Sequence, residues 1–164
     1  MARRRAPKPV FERTSRGYVI NLDPEEIDLV ARLLGELRGL IMAEDPSQAA
    51  LLRRLFPPAY HLADDAEAEA EYQRLMREDL VASRLAALNL VQEHLTRGTP
   101  LDDEAMLGMV QSLNGVRLVL GTLIDVGEGE DPSEIPDDHP LVGEHHLYHF
   151  LSYLLEVGVQ ALSE

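Results

Sequence analysis

Along most of this chain apolar residues recur every three or four positions, the spacing that lines one face of a helix. Ile27, Val30, Leu34, Leu37 and Ile41 form the first such face, widened by Leu29, Leu33 and Leu40. Its start is marked by Asp23 as N-cap, Pro24 at the first helical position and Glu26 at capping-box spacing. Asp45 and Pro46 repeat that signal for a short second helix reaching toward Phe56, where Pro57 and Pro58 stop it. Asp64 and Asp65 open a long helical stretch to about Arg97, closed by Gly98, with a bend expected near Glu78 and Asp79. A fourth helix runs from about Asp102 to Val126. Its seam of Met106, Met109, Leu113, Val116, Leu120 and Leu123 alternates steps of three and four. Its second half is apolar nearly all round, which predicts a central, buried helix. The last helix, from about Pro140 to Leu162, turns Leu147, Leu151, Leu154 and Leu155 inward.

The period changes at the front of the chain. Between Pro9 and Leu22, polar and apolar residues alternate through Val10, Glu12 and Thr14 and again through Tyr18, Ile20 and Leu22. Ser15, Arg16 and Gly17 lie between, with Gly17 free to take a positive φ, so the segment reads as a β-hairpin. A lone hairpin is marginal in water, so its apolar face must cover the helices or pair with another chain. The predicted class is mainly α: a five-helix bundle or array with a small N-terminal hairpin. Residues 1–8 read as a disordered basic tail, 9–164 as one helical domain, and the acidic, Pro- and Gly-rich stretch 127–140 as a mobile loop.

Charge sharpens this picture. The 164 residues carry a formal net charge of −14. Within residues 1–16, Arg3, Arg4, Arg5, Lys8, Arg13 and Arg16 face only Glu12, which leaves the body more acidic still. Such a body repels phosphate, so direct DNA contact is expected only through the basic tail, if at all. There is no tryptophan and no cysteine, which excludes thiol catalysis, cysteine-ligated metals and a thiol switch on this chain. Pro7, Lys8 and Pro9 follow the arginines where a leader peptide would need an apolar run. No stretch is long enough to span a membrane, and the cytoplasm is the expected address.

Two features invite a chemical reading. His145 and His149 lie four apart, a spacing that can place both rings on one helix face for zinc or nickel, with His139, Glu144 or Glu156 as further donors. The order Glu144-His145-His146-x-x-His149 is not the His-Glu-x-x-His of metalloproteases, and the leucine face lies elsewhere, so the rings are expected on the solvent side. Arg117 interrupts the most apolar run of the chain and shares a face with Asn114 and Gly121. A buried guanidinium needs a partner, and Glu78 and Asp79 on the preceding helix are the expected ones, as a structural ion pair. No nucleophile elbow, phosphate-cradling glycine motif or calcium loop is present. The sequence therefore assigns no catalytic residue, no cofactor and no metal site, and predicts a protein that is not an enzyme.

Arg54-Leu-Phe-Pro-Pro-Ala-Tyr60, Glu71-Tyr-Gln-Arg-Leu75 and Glu78-Asp-Leu80 resemble segments of an actinobacterial family of domains of unknown function. So do Leu113-Asn-Gly-Val-Arg-Leu-Val-Leu-Gly-Thr122, Leu147-Tyr-His-Phe-Leu-Ser-Tyr-Leu-Leu155 and the hairpin from Phe11. Members of that family are described as AosR-type oxidative-stress transcriptional regulators. The resemblance implies a non-enzymatic, transcription-related regulator. With an acidic body and no thiol, such a regulator would act through a protein such as a sigma factor or RNA polymerase. The family's gene neighbourhood, with a Clp protease adaptor and sulfur-carrier cysteine synthesis, implies an alternative: an oligomeric adaptor serving the protease machinery. The hairpin and the coiled-coil-like seam favour a homodimer. A metal-dependent enzyme using His145 and His149 ranks third.

Overall fold

The computed structural model describes residues 6–43, 45–56, 66–124, 138 and 140–164. Two strands, β1 (Phe11–Thr14) and β2 (Gly17–Ile20), precede five helices: α1 (Pro24–Ala43), α2 (Ala49–Leu52), α3 (Ala66–Arg97), α4 (Asp103–Leu123) and α5 (Val142–Ser163). The mainly α architecture with an N-terminal hairpin is as the periodicity predicts. Residues 1–5 of the expected tail at 1–8, and nearly all of the expected loop at 127–140, lie outside the described residues.

Local chemistry sets the helix starts. The Glu26 carboxylate accepts from the Asp23 amide at 3.2 Å, and the Ile27 amide donates to the Asp23 carbonyl at 3.0 Å. Asp45 accepts from the Ser47 amide at 2.9 Å and its hydroxyl at 2.8 Å. These bonds hold its carboxyl below the usual range. This cap opens a single 3-10 turn, Pro46–Gln48, which runs into the one-turn α2; the chain then continues to Phe56 without further helix. Asp102 caps α4 by accepting from the Ala105 amide at 2.7 Å. Helix α3 continues without a break through Glu78 and Asp79, from Ala66 to Arg97.

Helix α4 is the centre. Gly108 lets α3 approach, so that a Cβ there would stand 3.4 Å from Val91 and 3.5 Å from the Ala87 carbonyl. Gly115 does the same for Leu37 of α1, and Gly121 lies under Tyr148 of α5. Ala105, Met106, Met109, Leu113 and Val116 are buried with Leu34 of α1, Leu88 and Val91 of α3, and Leu151 and Leu154 of α5. Removing one large aliphatic side chain of this kind from water contributes about 1.5–3 kcal/mol. The depth of burial reverses the sequence expectation, however. The first half of α4 is the enclosed one, whereas Leu118, Val119 and Leu120 are half-buried and Leu123 is 48% exposed. Helices α1 and α3 meet α4 at Gly115 and Gly108, whereas near Gly121 the neighbouring groups are Arg54 and Tyr148 of α5.

The hairpin pairs Phe11 with Ile20 and Arg13 with Tyr18. Phe11 and Tyr18 are buried, Phe11 lying against Gly158 of α5. Tyr18 exchanges two backbone hydrogen bonds with Leu101, 2.7 and 2.8 Å long, which tie β2 to the α3–α4 connection. The Arg13 guanidinium donates to the Glu164 carbonyl at 2.9 Å. Of the two uses open to the hairpin's apolar face, the structure shows the first: the chain's own helices occupy it.

Gly17 carries the tightest constraint in this corner. Its φ is +117°, and a Cβ would collide with the Leu101 carbonyl that receives the Tyr18 bond. Gly98 also has positive φ, +66°, but faces open space. Gly17→Ala is therefore expected to cost more than 2 kcal/mol in urea unfolding, on the order of the strain of a forbidden backbone plus a lost bridge. Gly98→Ala should cost about 1 kcal/mol, from strain alone.

Candidate functional site

Helices α1, α3 and α4 enclose a cavity of about 230 Å³. Leu37 and Ile41 from α1 and Leu80 and Leu88 from α3 give it apolar walls. Its polar side is Ser83 and Arg84 from α3 with Gln111, Ser112 and Asn114 from α4. Ser83 and Gln111 are exposed and form the rim, while Ser112 is only 5% exposed. None of these described lining residues is acidic.

Arg84 sits on the apolar side of α3 because Leu80 and Leu88 flank it one turn away in each direction. Its Nη2 donates to the Leu55 carbonyl at 3.3 Å, and its guanidinium lies 5.7 Å from the centre of the Phe56 ring. Arg77 approaches the same ring at 5.0 Å, so two cations hold the segment after α2 against α3. Burial pushes the Arg84 pKa below its ordinary value, and a guanidinium still stays charged. Among the described residues Arg84 has no carboxylate partner, its Nε has no hydrogen-bond partner, and the Ser112 hydroxyl has none either. Both residues were readable as exceptions in the sequence, one polar residue within each apolar stripe.

Arg117 departs from its expected partners. It donates to Asn114 Oδ1 at 2.8 Å and to the Tyr148 hydroxyl at 3.3 Å, with the Tyr148 ring centre 5.9 Å away. Glu78 and Asp79 are exposed on α3 and make no ion pair with it among the described residues. The cause is helical phase. At about 100° per residue, Arg117 lies on the opposite side of α4 from Gly108, the residue that meets α3. The guanidinium consequently faces α5. Gly121, on the same face, admits the Tyr148 ring as its spacing suggested.

The histidines also separate. His145, in the first turn of α5, is buried at 8% exposure, contrary to the expected solvent position, while His146 and His149 are exposed. One ring turns toward the core and the other does not, so the two are not presented together on an open face. Glu156 is exposed, and His139 lies outside the described residues. Among the described residues, no three His, Asp or Glu side chains gather as metal ligands would. Nor is any described helix long and apolar enough to cross a membrane.

A family model for the domain of unknown function DUF2017 matches residues 4–162. The match takes in nearly the whole chain, and the protein belongs to this family. The chain is also similar to proteins named oxidative stress regulator AosR from Mycobacterium bovis and from two strains of Mycobacterium tuberculosis. Each is 25% identical over 189 residues, covering 94% of this chain and 86% of the relative. No solved structure matches.

The Arg117 geometry predicts a contrast in stability. Tyr148→Phe removes one long hydrogen bond and should cost about 1 kcal/mol in urea unfolding. The double change Glu78→Gln with Asp79→Asn should stay within about 0.5 kcal/mol of the parent, as surface substitutions do. An ion pair to Arg117 would invert that order.

Proposed function

We propose that this protein is a non-enzymatic, transcription-related regulator that works by docking on another protein in the cytoplasm. The observation that carries the reading is the similarity, along 94% of the chain, to proteins named oxidative stress regulators. Physical chemistry supports the mode of action. A net charge of −14 disfavours approach to nucleic acid, so a regulator of this composition acts on a polypeptide such as a sigma factor or RNA polymerase. The basic residues at the front of the chain supply the only segment suited to phosphate.

The absence of cysteine constrains the reading further. Any oxidative signal reaches this chain through its partner or through a group other than a thiol. The outer side of α5 carries Tyr153 and Val159, both large and exposed, beside the carboxylate of Glu156, and Leu107 is exposed on α4. Such side chains, rimmed by charge, have the composition of a protein contact rather than of a reaction centre.

Affinity capture with the full chain is expected to recover RNA polymerase or a sigma factor, and pre-treating the purified chain with diamide should leave that recovery unchanged. Recovery of protease components instead would favour an adaptor. Sequence-selective duplex binding that persists after removal of residues 1–8 would overturn the docking reading.

A further inference from the structure

The cavity between α1, α3 and α4 brings together a cation and an apolar wall, with no acidic residue among its described lining. Twenty-nine acidic residues are present in the chain, yet none lies among the described residues lining it. A half-buried guanidinium is ordinarily matched by a carboxylate, because an unmatched charge away from water is costly. Here the Leu55 carbonyl and the Phe56 ring compensate Arg84 in part, the former at 3.3 Å, beyond the usual N–H···O range. Arg84 Nε and Ser112 Oγ also lack hydrogen-bond partners, but both are shielded from the cavity's space, so the outer part of the Arg84 guanidinium is what the cavity offers. Asn114 adds an amide whose Oδ1 is taken by Arg117, which leaves its NH₂ group to donate.

We propose that this cavity is a binding site for a small organic monocarboxylate with a short, branched or linear apolar chain. The carboxylate would take the place of the missing counter-ion, accepting from the Arg84 guanidinium. Its hydrocarbon would lie against Leu37, Ile41, Leu80 and Leu88, which a hydrated inorganic ion would leave wet. The volume of about 230 Å³ falls below the roughly 300–1,000 Å³ of clefts that hold drug-sized ligands, so nucleotides and other bulky anions are too large. The exposed rim at Ser83 and Gln111 gives the route of entry. Because the walls come from three helices, an occupied site would clamp α1, α3 and α4 together and raise the melting temperature. The inference goes beyond the docking reading. Its failure would leave partner capture untouched, and failure of partner capture would leave the cavity intact.

The test is calorimetric and NMR titration of the full chain with isovalerate, beside isopentylamine and inorganic phosphate as probes of charge and of apolar contact. Isovalerate is expected to bind saturably, with amide shifts centred on Ser83, Arg84 and Ser112, and isopentylamine is expected not to bind. Arg84→Met should weaken isovalerate by about tenfold to a hundredfold, the loss of a charge-assisted hydrogen bond. Arg97→Met, on the surface, should leave it unchanged. Arg84→Lys, which keeps the charge, serves as the second variant should the methionine form not fold, and should bind more weakly than the parent. No saturable binding at tens of millimolar overturns the proposal. So does equal affinity in both Arg84 variants, amine binding as tight as the acid, or binding of phosphate alone.

Discussion

Close approach to α4 is the constraint shared by every larger element of this protein. A helix surrounded by three others and a hairpin cannot carry large side chains on all sides. Gly108, Gly115 and Gly121 stand where α3, α1 and α5 come nearest, and a Cβ at any of them would meet its neighbour within 3.4 Å. Where α4 does carry bulk, at Met106, Met109 and Leu113, the facing residues complete a close-packed aliphatic core. The hairpin joins the same core through Phe11 and Tyr18, and its backbone bonds to Leu101 fix the chain just before α4 begins. Position and orientation of α4 are thus settled at both its entry and its flanks.

The polar residues of α4 follow from that central placement. Ser112 meets the α3 side and Arg117 the α5 side, and each lies within a helix–helix boundary rather than in water. On the α5 side the guanidinium is met by neutral acceptors, Asn114 and Tyr148, a milder arrangement than a buried ion pair and one with less desolvation to offset. On the α3 side Arg84 Nη2 reaches the Leu55 carbonyl, and among the described residues Arg84 Nε and Ser112 Oγ have no partner. The same architecture therefore produces a polar seam met by neutral acceptors toward α5, with Arg117 Nε still unpaired, and a cavity toward α3 lined by an Arg84 that has no carboxylate partner among the described residues.

Much of this was legible in the sequence, and the failures share a cause. Element types, the start signals at Asp23 and Asp45, and the turn glycine at 17 are local, so three to five neighbouring residues suffice to read them. The family resemblance, carried by the segments around Arg54, Leu113 and Leu147, agrees with the family match. Partnerships between helices were not legible, because they depend on which azimuth of each helix meets which neighbour. Arg117 was matched to Glu78 and Asp79 by sign of charge alone, although helical phase puts it on the other side of α4. His145 was read as exposed because its own helix has a leucine face elsewhere, yet a first-turn position can still be buried. Arg84 lies in a stretch rich in charge, and only its place between Leu80 and Leu88 sets it on the apolar side of α3.

Native-state hydrogen exchange measured residue by residue tests the central role of α4 most directly. If α4 is the element on which the rest is assembled, the amides of Met109–Val116 exchange slowest in the molecule, and only through global unfolding. Faster exchange there than in the middle of α1 or α5 would mean that α4 can open while its neighbours stay folded, and would contradict the account.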